Sequence, residues 1–239
     1  MKIKVIMSDK AMSRKTMDER EKMLKVALSS DCEVSVDCIK RGPDELDCNT
    51  DEAFAAAEMV KESIQAEKDG FDAIVIYCFS DVGIDAIREN VKIPVIGPGA
   101  TSLAAASLIC NRITVLTSES RNIPRTYRRL MKDIIAREKM VSVRALDIPI
   151  GELRTNPRAT EEYLKSVCKR AVEEDGADGI ILGCLGMAGY GEKIEEELPV
   201  KIIDPAFLAV AFAELCAKIK LSHIEAVYPQ FMNNSNVDL

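Results

Sequence analysis

Two cysteines stand in matching surroundings. Gly70-Phe71-Asp72-Ala73-Ile74-Val75-Ile76-Tyr77 runs into Cys78, and Gly176-Ala177-Asp178-Gly179-Ile180-Ile181-Leu182-Gly183 runs into Cys184. In each segment an apolar run ends on a cysteine eight residues after a glycine. A thiolate is a base and a thiol is an acid. A carbon acid beside a carbonyl that loses a proton to one group and regains one from another, on its opposite face, has its stereocentre inverted. Two cysteines suit that reaction, one ionised and one protonated, with roles exchanged for the other enantiomer.

Other groups offer little competition. The chain has one histidine, His223, in the stretch Lys220-Leu221-Ser222-His223, which reads as a surface helix end. A Ser-His or Cys-His pair would have to use it. There is no Cys-x-x-Cys pair, so no zinc site is expected. Of the eight cysteines, Cys110, Cys168 and Cys216 lie in helical patterns and read as packing residues, reduced rather than disulfide-bonded. Cys48-Asn49-Thr50 follows the polar run 41–47 and reads as a loop and helix cap. Gly97-Pro98-Gly99 lacks the spacing of a phosphate loop and reads as a tight turn.

The elements that must position the two thiols alternate in type. Strand-like runs cover 2–8, 32–39, 72–78, 93–97, 112–118, 141–148, 178–184 and 199–203. Helical patterns cover 16–30, 50–69, 82–90, 100–110, 122–138, 158–175, 188–197 and 205–220. Short apolar runs alternating with helices argue for parallel βαβ units. In such sheets ligands bind outside the carboxyl ends of the strands, where both cysteines stand. A helix following each cysteine offers amide N–H groups that would lower a thiol pKa and hold a carboxylate or enolate.

The order of elements repeats. Lys2–Ser8 resembles Arg112–Ser118, and Cys32–Ile39 resembles Val141–Ile148. Cys78 precedes Pro98 by 20 residues and Cys184 precedes Pro205 by 21, and each proline is followed by an alanine-rich helix, 100–110 and 206–220. Any two halves of this class share some likeness, but equal cysteine spacing favours a true repeat. The expected fold is α/β, with two pseudo-symmetric Rossmann-like lobes, each a four-stranded parallel sheet flanked by helices. The active site is expected in the cleft between them. Residues 1–98 with 206–239 form the lobe carrying Cys78, and 99–205 the lobe carrying Cys184.

Composition narrows the partners. The 239 residues carry a net charge of −7 with 47% hydrophobic content, enough for a sizeable core. No basic patch suits nucleic acid. No apolar run approaches the roughly 20 residues of a membrane span. The N-terminus alternates like a first strand without a signal-peptide core, so a cytoplasmic protein is expected. The expected partner is a small-molecule substrate, and a homo-oligomer is compatible. The polar tail 230–239 reads as frayed or docked on a neighbour.

Several stretches resemble the aspartate/glutamate/hydantoin racemase superfamily, with the hydantoin racemase branch nearest. They are Cys78-Phe79-Ser80-Asp81-Val82-Gly83, Pro94-Val95-Ile96-Gly97, Thr117-Ser118-Glu119-Ser120-Arg121 with Pro124, and Leu182-Gly183-Cys184-Leu185-Gly186-Met187-Ala188. The resemblance implies that Cys78 and Cys184 shuttle protons without a cofactor or metal. It places substrate contacts on Phe79, Ser80 and Asp81, on Thr117, Ser118 and Arg121, and on Leu185 and Gly186. Ser8 joins them, at the end of the first strand. Arg121 there reads as an anchor for a carboxylate or ring carbonyl, or as an ordinary solvated arginine.

Three departures bear on substrate rather than chemistry. Met7-Ser8-Asp9-Lys10 stands where the family has Asn-Pro-Asn-Thr. Val82 replaces a proline, and Pro98-Gly99-Ala100-Thr101-Ser102 replaces an Ala-Glu-Ala-like segment. The expected activity is racemisation or epimerisation of a small carbon acid: a 5-substituted hydantoin, an amino acid such as aspartate or glutamate, or a related imide or ureide. A maleate-type cis–trans isomerase also uses two cysteines, and an arylmalonate-type decarboxylase needs one. A non-catalytic two-lobed binding protein is the rival from another class.

Overall fold

The computed structural model describes residues 1–229, and the tail 230–239 lies outside them. The chain divides into two units, one of residues 1–98 with the described residues from Ala209 on, the other Gly99–Leu208.

In the first unit, β1 (Lys2–Met7), β2 (Glu33–Cys38), β3 (Ala73–Tyr77) and β4 (Val95–Ile96) form a parallel sheet in the order β2-β1-β3-β4. Every residue of β3 is buried, which explains its unbroken apolar sequence. The helices are α1 (Arg14–Lys25), α2 (Asn49–Lys68) and α3 (Ile84–Arg88). Ile6, Met59, Ile74, Ile76 and Ile87 lie in its core. Cys48 occupies the position before α2, where Asp51 accepts the N–H groups of Asp47 and Cys48, both at 2.9 Å.

The next helix, α4 (Pro98–Ile109), leads into the second unit. Pro98 is its first residue, so Gly97-Pro98-Gly99 is a helix start rather than a tight turn, with the proline where its missing N–H costs nothing. The second sheet holds β5 (Ile113–Thr117), β6 (Met140–Ala145), β7 (Gly179–Leu182) and β8 (Lys201–Ile203) in the order β6-β5-β7-β8. This is the order of the first sheet with each strand advanced by four, and it is again all parallel. The two four-stranded parallel sheets match the sequence expectation.

The expected helix 122–138 is two helices, α5 (Ile123–Leu130) and α6 (Ile134–Lys139). Asp133 breaks the run by capping α6, accepting the N–H of Ala136 at 3.0 Å. α7 (Pro157–Asp175) begins after Asn156, which accepts the N–H of Ala159, and ends at left-handed Gly176. α8 spans only Gly191–Glu195, and α9 (Pro205–Ile219) carries the chain back toward the first unit. Leu116, Leu146, Leu164, Ile180 and Leu182 lie in the core of the second unit.

Candidate active site

Cys78 follows β3 directly. Met7 of β1 pairs with Tyr77, so Ser8 continues beside Cys78. The Ser8 hydroxyl hydrogen-bonds to the Cys78 thiol, and the Ser80 hydroxyl lies 3.0 Å from its sulfur. The Ser80 N–H also donates to the sulfur. Burial nevertheless dominates and pushes the Cys78 thiol up, with the charge of Glu52 adding to it. This corrects the expectation of a thiol lowered by a following helix. Cys78 is followed by a turn, and α3 starts six residues later, so its donors are two hydroxyls and one loop amide. They provide a ready hydrogen-bond set for the thiolate when it forms.

The other predicted contacts of this unit divide. Phe79 is buried, while Ser80 and Asp81 are half-buried. Asp81 adopts a left-handed backbone (φ 53°), and its carboxylate fills the space over the Cα of Gly97.

Cys184 opens a 3-10 turn, Leu185–Met187, after β7. Gly183 makes that placement sterically feasible. A Cβ there would come within 2.5 Å of the Leu116 carbonyl oxygen, so only glycine lets β7 end this close to β5. Leu116 pairs with Leu182, and Thr117 and Ser118, both buried, carry β5 on past that pair. Leu185 is buried, and a Cβ on Gly186 would lie 3.4 Å from the Cys184 sulfur. Ser8, Cys78 and Ser80 thus cluster in the first unit, and Gly186 lies close to Cys184 in the second.

Arg121 sits in a 3-10 turn, Ser120–Asn122, held by Ser120, whose N–H and hydroxyl donate to Asp147 at 2.7 and 2.8 Å. Its guanidinium pairs with both carboxylate oxygens of Glu119, at 2.5 and 3.2 Å, and its side chain is 61% exposed. His223 is half-buried beyond α9, with Nε2 2.7 Å from the Val91 carbonyl.

Four further charged residues border these sites. Asp9 follows Ser8, and burial raises its carboxyl to about 6, with Glu45 adding and Arg20 opposing. Arg20 itself is buried, stacks on the Tyr77 ring at 5.8 Å, and has no hydrogen-bond partner at Nη1 among the described residues. Arg154 and Asp204 flank the loop after Cys184. An acid just before Pro205 is a helix-start signal that was open to reading; an arginine in a turn far along the chain gives none.

Five of the remaining thiols are poorly placed for chemistry. Burial pushes Cys168 up to about 12 and Cys38 up to about 11, and it raises Cys32, Cys110 and Cys216. Among the described residues, no three His, Cys, Asp or Glu side chains form a group that could hold a metal ion. No described helix is long and apolar enough to cross a membrane.

Comparison with known proteins gives a consistent picture. The profile of the Asp/Glu/Hydantoin racemase family matches residues 13–213. A hydantoin racemase of Pseudomonas sp. (strain NS671) is 33% identical over 218 residues, 90% of this chain and 85% of that protein. The hydantoin racemase of Rhizobium meliloti is 36% identical over 172 residues, 72% of this chain and 71% of its own. The allantoin racemase structure from Klebsiella pneumoniae superposes with a TM-score of 0.86 at 26% identity, covering 96% of this chain and 94% of that one.

Proposed function

Because the chain belongs to the Asp/Glu/hydantoin racemase family, we propose that it inverts a carbon-acid stereocentre with Cys78 and Cys184 as a cofactor-independent acid–base pair. One thiolate takes the α-proton, leaving an enolate, and the other thiol returns a proton to the opposite face of the carbon. The first cysteine then holds the proton and the second is ionised, so the reverse reaction starts from that state. The observation that carries this reading is the shared position of the two thiols. Each follows the third strand, in chain order, of a sheet with the same strand order.

The substrate class that fits is a 5-substituted hydantoin or a related ureide, whose ring carbonyl acidifies the adjacent C–H. Amino acids such as aspartate and glutamate are the other candidates. Ser8, Phe79, Ser80, Asp81, Thr117, Ser118, Arg121, Leu185 and Gly186 are proposed substrate contacts. A site in the first unit lined by Ser8 and Ser80 offers hydroxyls to a carbonyl as well as to the Cys78 sulfur.

The test is deuterium uptake from heavy water into single enantiomers of a hydantoin and amino-acid panel, read by mass and chirality together. The parent should incorporate deuterium with inversion. Cys78→Ala and Cys184→Ala should each abolish inversion, with exchange in one enantiomer surviving at most. Full inversion by either single variant would sink the two-thiol mechanism. Cis–trans conversion of a dicarboxylate, or loss of CO2 from an arylmalonate, in place of inversion would move the chain to those relatives' chemistry.

A further inference from the structure

The loop after Cys184 is gripped from both sides. Arg154 donates from Nε to the carbonyl of Gly186 at 3.2 Å and from Nη2 to the carbonyl of Ala188. On the other side, the Gly189 N–H donates to Oδ2 of Asp204 at 2.7 Å. The peptide unit joining Ala188 to Gly189 therefore has its C=O on a guanidinium and its N–H on a carboxylate. A peptide dipole aligned between a cation and an anion resists rotation from either end, and both bonds are charge-assisted.

Each clamp is itself held. The Arg154 guanidinium lies over the Tyr190 ring at 5.1 Å, and the Tyr190 hydroxyl donates to the Leu153 carbonyl at 3.0 Å. Asp204 accepts the Ala206 N–H at 3.0 Å through Oδ1, so its carboxylate is tied to the start of α9 while it holds the loop. The gripped carbonyl of Gly186 belongs to the residue whose Cα faces the Cys184 sulfur. The Met187 N–H returns to the Cys184 carbonyl at 2.9 Å, which makes the turn one rigid piece with the cysteine.

We propose that Arg154 and Asp204 are positioning residues for Cys184, fixing the Leu185–Gly189 loop so that the thiol keeps one geometry through proton transfer. Neither touches substrate in this reading. The proposal rests on the assignment of Cys184 as an acid–base group only for its effect on turnover; the effect on thiol geometry stands apart from it. A guanidinium reaches two carbonyls in a fork, which a lysine ammonium on a flexible stem does less well.

The test is iodoacetamide alkylation of the intact chain, followed peptide by peptide by mass spectrometry, with Cys78 as an internal reference. Arg154→Ala should change the Cys184 rate at least fivefold and leave Cys78 within twofold. Arg154→Lys should recover part of the change. Asp204→Asn, which keeps an acceptor oxygen without the charge, should change the Cys184 rate in the same sense. Where Arg154→Ala lowers the melting temperature too far for a comparison, Arg154→Lys and Asp204→Asn decide alone. A Cys184 rate within twofold of the parent in the folded variants overturns the proposal, whatever turnover does.

Turnover is read separately, as deuterium exchange into 5-benzylhydantoin. Arg154→Ala should lower kcat at least tenfold with KM within threefold. If Cys184→Ala keeps full exchange, the two-thiol mechanism fails, and alkylation alone then judges the clamp.

Discussion

The carboxylate of Asp81 occupies the volume that a side chain on Gly97 would need. A Cβ at Gly97 would fall 2.5 Å from the Asp81 carboxyl carbon and 2.7 Å from each oxygen. The repeat equates Gly97-Pro98 with Asp204-Pro205, and there the acid comes from the strand end itself. Each unit thus puts a carboxylate at the proline-led helix start, but the first supplies it from the turn after its cysteine.

Gly97→Ala should therefore cost about 2 kcal/mol of stability through overpacking. Asp81→Gly should recover most of that loss in the double variant, because it removes the colliding carboxylate and relaxes the left-handed backbone at φ 53°. Urea unfolding of the two single variants and the double variant, treated as a cycle, measures the coupling. Additive costs would contradict the collision.

The hydroxyls beside Cys78 favour its thiolate against burial. Ser8→Ala and Ser80→Ala should each move the alkylation midpoint of Cys78 to higher pH. The thiolate is the reactive form, so at a fixed pH below the midpoint both variants should alkylate Cys78 more slowly. An unchanged pH profile in both would show that the bonds do no such tuning.

Asp9 carries a stability slope with a definite sign. Its carboxyl titrates near 6 when folded, against 3.8 ordinarily. The folded chain therefore binds the proton more tightly than the unfolded chain. That contribution is fully present below the unfolded value and is lost as pH rises from about 4 to about 6. It amounts to on the order of 3 kcal/mol. Asp9→Asn should gain stability relative to the parent across that window, seen in chemical unfolding at a series of pH values. A difference that stays constant with pH would be incompatible with the shift.

Arg20 is a buried charge 6% exposed, lying on the Tyr77 ring with Nη1 unbonded among the described residues. Burying a charge is costly, and a packed apolar chain of similar length is often as good or better. Below about pH 4, where Asp9 is protonated, Arg20→Met should be neutral or stabilising by about 1 kcal/mol. It should also raise the Asp9 carboxyl further by removing the attraction that lowers it. Thermal unfolding and NMR titration of Asp9 read the two effects.

The alternation of apolar runs with helices, and the glycine-to-cysteine repeat, made both sheets and both thiols legible in the sequence. Local patterns carry that information because strands buried on both faces must be apolar throughout. What the sequence left hidden depends on partners far apart along the chain. Arg154 meets carbonyls 32 and 34 residues away, and its own surroundings read as an ordinary turn. The break at Asp133 is hidden because a helical period continues through residues 122–138 and a cap competes with it locally. The rise at Cys78 is hidden because burial outweighs hydrogen bonding, a balance that no motif states.

The first unit is assembled from two separate stretches of the chain. Ser29 donates its N–H to Glu214 at 3.1 Å, Ser222 donates to the Lys92 carbonyl at 2.8 Å, and Arg88 donates to the Tyr228 hydroxyl at 3.2 Å. The second unit is one uninterrupted stretch. During synthesis from the N-terminus, the second unit has its whole sequence available while the first still waits for α9. The Cys184 half is thus positioned to finish first on the ribosome, and the Cys78 half, though translated earlier, is the last to close.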